Sequence, residues 1–333
     1  MFKASDMSGI NTAALFTLQE QDTEAAALEL FRYQYRENDI YRAYTDALHR
    51  KPSDIRSLLQ IPFLPIQFFK THTVTCGSFT PELVFESSGT TQTINSRHLV
   101  KEAAVYEQSF LAGFELFYGP VSDFVVLGLL PSYLERQHSS LVYMVQDMVK
   151  RSGHAESGFY LYEHDKLAAH LQELEARQQK TLLIGVTFGL LDFAERYQLH
   201  LENTIVMETG GMKGRREEWT RQQVHGYLKE RLGCKQIHAE YGMTELLSQA
   251  YSYGDGLFTT PPWMKILVRD ENDPFQLSTA NASGVINVVD LANVYSCAFI
   301  ATDDIGKLRA DGSFEVLGRL DNSALRGCSL MVS

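Results

Sequence analysis

Short apolar runs alternate with longer stretches of helical period along most of the chain. Leu83-Val84-Phe85, Phe124 to Leu130, Leu182 to Thr187 and Thr204 to Thr209 are each brief, rich in β-branched or aromatic residues and bounded by turn formers. That pattern predicts strands, the later ones buried on both faces. Between them the spacing changes. Residues 12–50 read as helices, with Leu28, Phe31 and Tyr35 on one face of the segment from Thr23 and with Asp22 or Thr23 as its cap. Pro52-Ser53-Asp54 opens a short helix at Ile55 to Gln60, and Ile61 to Ile66 is held extended by two prolines. Helices are also predicted at Arg97 to Phe117, Ser139 to Arg151, Leu190 to Tyr197 and Arg216 to Leu232.

From Gln236 the texture shifts to strands. Ile237 to Tyr241, Trp263 to Val268, Gly284 to Asp290, Cys297 to Ala301 and Ser313 to Leu317 all carry the strand pattern, and Asp311-Gly312 marks a hairpin turn. The fold class expected is α/β. It has a core over 1–254 with a helical N-terminal region, a mostly antiparallel β subdomain over 255–320, and a tail over 321–333.

Composition narrows the function. The chain has 333 residues, 44% of them hydrophobic and 21% charged, which predicts a large core rather than disorder. A formal net charge of −11 argues against a nucleic-acid or anionic-membrane surface. No apolar run approaches the ~20 residues of a membrane span. The N-terminus lacks the apolar stretch of a signal peptide. Cys76, Cys234, Cys297 and Cys328 are scattered, with no paired spacing that would suggest zinc, so a reduced cytoplasmic setting is expected.

One stretch concentrates chemistry. Ser87-Ser88-Gly89-Thr90-Thr91 places four hydroxyls and a glycine directly after the first strand. Gly89 can take positive φ, so successive N–H groups can turn inward to hold an anion, and the hydroxyls add donors. With a helix expected from Arg97, the loop would aim a helix N-terminus at a phosphate. Alone, such a cluster is usually an ordinary polar loop. Downstream, Tyr241-Gly242-Met243-Thr244-Glu245, Thr302-Asp303-Asp304-Ile305-Gly306 and Gly318-Arg319-Leu320-Asp321 follow at wide spacing.

These four motifs, in this order, resemble the adenylate-forming (acyl-AMP-forming) ligase superfamily. Together with Glu208 to Arg215 and Gly318 to Met331, they are most similar to the acyl-protein synthetases of bacterial luciferase operons. The resemblance implies ATP and Mg²⁺ as cofactors and a carboxylic acid, fatty acyl or aryl, as substrate. It implies an acyl-adenylate intermediate with pyrophosphate release and transfer of the acyl group to a thiol. Ser87, Ser88, Gly89, Thr90 and Thr91 would hold the β- and γ-phosphates. Thr244 would meet the α-phosphate, and Glu245 would ligate Mg²⁺ as a hard oxygen donor. Tyr241 and Gly242 would lie at the adenine, whose edge the Gly210-Gly211 backbone would approach. Asp304 would accept from the ribose hydroxyls and Arg319 would donate to ribose or phosphate.

Two departures stand out. The superfamily's loop continues with glycine and lysine, whereas here Gln92-Thr93-Ile94-Asn95 follows, leaving Arg97 or His98 as the available cation. The lysine-bearing C-terminal domain that follows the Gly-Arg-x-Asp hinge in most members is expected to be absent. His138 either lies near the acid's carboxylate or merely starts a surface helix. Cys328 is either the acylated cysteine, as the resemblance to acyl-protein synthetases implies, or a small buried thiol. An acyl-carrier protein, a reductase partner or coenzyme A are the expected partners. The alternatives are a non-catalytic subunit that binds nucleotide or acyl-adenylate, and a phenylacetate-type coenzyme A ligase.

Overall fold

A computed structural model describes residues 12–87, 94–131, 136–210 and 219–320. After a 3-10 turn at Thr12–Thr17 come α1 (Thr23–Glu37), α2 (Asp39–Ala47), β1 (Leu64–Pro65) and α3 (Phe68–Thr71). Strands β2 (Leu83–Glu86) and β3 (Arg97–Val100) form a separate antiparallel pair. The α/β body then runs α4 (Ala103–Tyr118), β4 (Val125–Leu129), α5 (Ser140–Ser152), β5 (Gly158–Phe159), α6 (His164–Ala176), β6 (Thr181–Val186), α7 (Thr187–Arg196), β7 (Thr204–Thr209), α8 (Arg221–Leu232) and β8 (Ile237–Tyr241). Seven strands close the described chain: β9 (Ala250–Ser252), β10 (Leu257–Thr259), β11 (Met264–Arg269), β12 (Leu277–Ser278), β13 (Ala282–Asp290), β14 (Phe299–Leu308) and β15 (Phe314–Arg319).

Thirteen of these strands form one sheet, ordered β12-β11-β13-β14-β15-β10-β9-β8-β7-β6-β4-β5, with β1 parallel to β14. Its character changes at β8. Strands β5, β4, β6, β7 and β8 are parallel neighbours, and from β8–β9 onward every pairing along that order is antiparallel.

The parallel half explains its own sequence. Val125, Leu127 and Leu129 enter the cluster beneath α6, α7 and α8, whereas Val126 enters the one with Phe110, Phe114 and Met144 on the opposite face. Successive side chains of a strand point to opposite faces, so covering both faces demands an unbroken apolar run. At about 1.5–3 kcal/mol for each fully buried aliphatic side chain, these two layers dominate the folding energy.

Three sequence expectations are corrected. The expected helix from Arg97 is two elements: a strand to Val100, then a helix only from Ala103. His98 and Val100 are buried while Arg97 is exposed, a two-residue alternation hidden inside a helical-looking run. Of the helix expected at Ile55 to Gln60, only a 3-10 turn at Leu58–Gln60 forms. Pro62 forces Ile61 into extended backbone, with φ −66° and ψ 128°. Helix α8 starts at Arg221 rather than 216, because Thr220 and Gln223 cap it reciprocally. Asp22 precedes α1 without a side-chain capping bond, and the Thr23 hydroxyl donates instead to Pro262 O at 2.7 Å.

Candidate active site

Asp304 and Arg319 lie directly opposite each other in the β14–β15 ladder. Arg319 Nε donates to Asp304 Oδ1 at 2.9 Å, and the Tyr241 hydroxyl donates to Oδ2 at 2.9 Å. Each carboxylate oxygen so keeps a lone pair for a further donor, which suits a vicinal diol. Burial works against the Arg319 charge, but Asp304 outweighs it and raises the guanidinium's pKa. Tyr241 is 8% exposed, its ring set edge-on against Phe258 and Phe314. Burial, reinforced by Asp304, pushes its phenol pKa far up, so it is a donor at every physiological pH.

Tyr241 ends β8, and the turn beyond it is held from three directions. His98 Nδ1 lies 2.9 Å from Thr244 O, which makes that nitrogen the protonated one. Asn293 Nδ2 donates to Glu245 O at 2.7 Å. Asp290 accepts from Leu247 N at 2.7 Å, Ser248 N at 3.0 Å and Ser248 Oγ at 2.5 Å. A Cβ at residue 242 would come within 2.4 Å of Glu240 Oε1, so any larger residue there must displace that buried carboxylate.

Glu245 itself is 5% exposed, yet its carboxylate accepts no well-formed hydrogen bond and makes no ion pair among the described residues. Burial raises its pKa; Ser96, Arg319 and Lys70 pull the other way. Ser96, 1% exposed, interacts with the carboxylate, yet its hydroxyl completes no hydrogen bond of normal geometry. A buried carboxylate without an ion pair, beside a buried hydroxyl, fits a hard cation. Among the described residues, no group of three or more His, Cys, Asp or Glu forms a metal site, so a cation here would complete its shell with phosphate and water.

Ser87 and Ser96 close the base of the hydroxyl-rich loop. Ser87 N donates to Ser96 O at 3.1 Å, and Ser96 N donates to Ser87 Oγ at 3.0 Å. Ser88, Gly89, Thr90 and Thr91 lie outside the described residues, as do Gly211 and Cys328. The loop leads into β3, so no helix N-terminus faces it from that side. Nor can His98 supply the missing charge: burial lowers its pKa to about 4, leaving it neutral. Arg97 pairs across the hairpin with Glu86 at 3.4 Å. Lys70, on α3, is instead the lysine whose charge reaches Glu245.

Gly210 takes φ +80° at the end of β7, a value that favours glycine. The preceding Glu208 is pinned by Thr187 Oγ1 at 2.5 Å and His225 Nε2 at 2.8 Å, and those bonds outweigh burial and hold its pKa down. His138 is exposed, with Nδ1 3.1 Å from Val84 O, so it tethers its segment to β2. Cys76, Cys234 and Cys297 are buried thiols; burial raises Cys234 to about 11 and Cys297 to about 12.

Asp290, Asn293, Ser96, His98 and Lys70 were not singled out as site residues from sequence, His98 excepted as a cation. The polar pair Asp290 and Asn293 after an apolar strand was the available signal.

No protein-family model and no curated protein sequence matches this chain. Solved structures do. ATP-bound MatB from Rhodopseudomonas palustris matches at TM-score 0.53 and 19% identity, over 73% of this chain and 49% of MatB. An open conformation of 2-hydroxyisobutyryl-CoA ligase, in complex with 2-HIB-AMP and CoA, matches at TM-score 0.61 and 11% identity, over 97% of this chain and 76% of the ligase. The long-chain-fatty-acid-CoA ligase FadD1 from Archaeoglobus fulgidus matches at TM-score 0.51 and 12% identity, over 73% and 52%. The chain spans about half the length of MatB. Its fold is that of the adenylate-forming ligases.

Proposed function

We propose that the chain activates a carboxylic acid, fatty acyl or aryl, to an acyl-adenylate using ATP and Mg²⁺, then passes the acyl group to a thiol. The observation that carries this reading is the convergence of Tyr241, Asp304 and Arg319 beside a buried Glu245 that forms no ion pair among the described residues. Asp304 would take the ribose hydroxyls, held in place by its two donors. Glu245 and Ser96 would hold the cation. Bound there, a divalent cation would offset charge on the phosphates as pyrophosphate leaves. A carboxylate oxygen of the acid would attack the α-phosphorus, and the bond from that phosphorus to the bridging oxygen would break, releasing pyrophosphate. Thr244, fixed through its carbonyl by His98, would present its hydroxyl toward the α-phosphate. Lys70 would supply cationic charge that the loop itself lacks.

The acceptor in this proposal is Cys328 or a thiol from outside the chain, such as coenzyme A or a carrier protein. Cys76, Cys234 and Cys297 are excluded on physical grounds, since a buried thiol with a raised pKa is a poor nucleophile. Among the described residues, no helix is long and apolar enough to cross a membrane.

The test is acid-dependent exchange of labelled pyrophosphate into ATP across a panel of fatty and aromatic acids. Exchange with at least one acid, reduced about tenfold or more in Glu245→Gln, is expected; a tenfold loss is ~1.4 kcal/mol in the barrier. ATP raising the melting temperature with no exchange for any acid would replace the enzyme by a nucleotide-binding subunit.

A further inference from the structure

A cavity lies beside β14. Asp303 and Asp304 are consecutive in that strand but have different partners: Asp304 holds Tyr241 and Arg319, whereas Asp303 accepts from Gln67. Asp304 serves the nucleotide cluster; Asp303 lines a cavity of about 240 Å³ with Tyr44, Phe63, Leu277 and Arg269. Leu59 and Phe275 border it and are 44% and 54% exposed, two large apolar side chains left in water at one spot.

Arg269 is the informative wall. It is half-buried, and the acceptors it has found are all neutral. Nη1 donates to Ile286 O at 3.1 Å and Asn287 Oδ1 at 2.6 Å, and Nη2 to Thr302 O at 2.6 Å. Of five N–H groups, the Nε–H and one Nη2–H remain without a partner among the described residues, leaving two charged donors for an anion. No carboxylate among the described residues forms an ion pair with it. Asp303, the neighbouring acid, accepts from Gln67 Nε2 on both oxygens, at 2.8 and 2.7 Å, and its charge acts on Arg269 without forming an ion pair. Arg50, a second cation without an ion pair among the described residues, also lines the cavity. Two arginines against one aspartate leave the wall net positive, and the rest of the lining is largely apolar.

We propose that this cavity binds a small apolar monocarboxylate, its carboxylate on Arg269 and its apolar body against Phe63, Leu277 and Phe275. The volume lies below the ~300–1,000 Å³ usual for drug-sized ligands, so the ligand is of benzoate size and not a nucleotide or long acyl chain. The cavity lining includes none of Tyr241, Glu245, Asp304 and Arg319 of the acid-activating centre, and the proposal does not depend on that centre's assignment.

The experiment is a fluorine NMR titration of 4-fluorobenzoate with the full chain, without nucleotide. Saturable binding of one equivalent is expected, weakened at least tenfold by Arg269→Gln and severalfold by Phe275→Asp, and unchanged by Glu245→Gln. Acetate and inorganic phosphate should compete at least tenfold more weakly than benzoate. Phe275 is exposed, so its variant decides the matter if circular dichroism shows that Arg269→Gln has not folded. Absence of saturable binding, wild-type affinity in the variants that fold, or loss confined to Glu245→Gln overturns the proposal. Equal competition by phosphate overturns the role of the apolar wall.

Discussion

The parallel and antiparallel halves of the sheet hold their polar groups in different places. In the parallel half, β4, β6 and β7 are buried along nearly all their length, and the candidate site residues lie at a strand's last position or in the turns beyond, at Gly210 and Tyr241 to Glu245. In the antiparallel half the polar groups stand inside or at the ends of strands: Asp304 in β14, Arg319 in β15, Asp290 closing β13. Helices cover both faces of a parallel sheet, which leaves only strand ends open to a ligand. An antiparallel sheet can leave one face less covered, so alternate strand positions become available. The lesson is that the turns are shaped by one half and anchored by the other.

The largest effect should follow from cutting that anchorage. Asp290→Ala leaves Leu247 N, Ser248 N and Ala292 N buried without their acceptor, while Ser248 Oγ keeps Ser109 Oγ at 3.0 Å. At about 1–3 kcal/mol for each stranded group, partly relieved by relaxation, a loss of about 4 kcal/mol is expected in urea unfolding. Gly210→Ala should cost only about 1 kcal/mol, since its φ of +80° is strained for alanine but its Cβ would meet nothing within 4 Å. Equal destabilisation by the two substitutions would break the contrast between anchor and turn.

Next comes a pH effect in the parallel half. Glu240, at the end of β8, is buried, and burial raises its pKa from 4.5 to about 7 against the bond from Thr209. The native state therefore holds a proton that the unfolded chain has released. Stability should be full below about pH 4.5 and fall as pH rises through 7. Glu240→Gln should remove this slope and stabilise the protein by about 3 kcal/mol at pH 8, with little change at pH 4.5. Parallel pH–stability curves for the two proteins would mean that Glu240 is ionised without penalty.

How much was legible follows the same division. The strands of the parallel half stood out because burial on both faces forces apolar runs, and the hairpin at Asp311-Gly312 because its turn chemistry is local: Gly312 has φ +83° and Leu308 pairs with Phe314. Strand β3 was hidden because four residues of alternation are too few to outweigh the helical run that follows. The motif residues Tyr241, Asp304 and Arg319 could be named from sequence, but not their mutual bonds, because the pairing of residues 63 and 15 positions apart is set by sheet register. His98 looked like a cation and is neutral because burial is a property of the fold, not of the local sequence.

A smaller effect should come from the ribose acceptor. Asp304→Asn keeps the shape but removes the charge that Arg319 and Tyr241 hold. Pyrophosphate exchange should fall about tenfold, ~1.4 kcal/mol, with the melting temperature nearly kept. Unchanged exchange would move the ribose away from the antiparallel half.

The smallest expected effect tests the link between the halves most directly. Tyr241 belongs to β8 of the parallel half, and its hydroxyl reaches Asp304 Oδ2 in β14 at 2.9 Å. Tyr241→Phe deletes that one bond and leaves the ring against Phe258 and Phe314. Asp304 then retains Arg319 on Oδ1, so the carboxylate keeps its charge and one of its two orienting donors. A hydrogen bond to a charged group contributes about 1.5–3 kcal/mol, but water can replace the hydroxyl at a site open to nucleotide, so a net loss near 1 kcal/mol is expected. ATP affinity measured by calorimetry should fall about fivefold. In Arg319→Gln the same Tyr241→Phe change should cost more, because Tyr241 is then the remaining donor of the two, and the double-mutant cycle should show coupling of about 1 kcal/mol. Additive effects would mean that the antiparallel half positions Asp304 unaided, and the link from β8 would then be a packing contact alone.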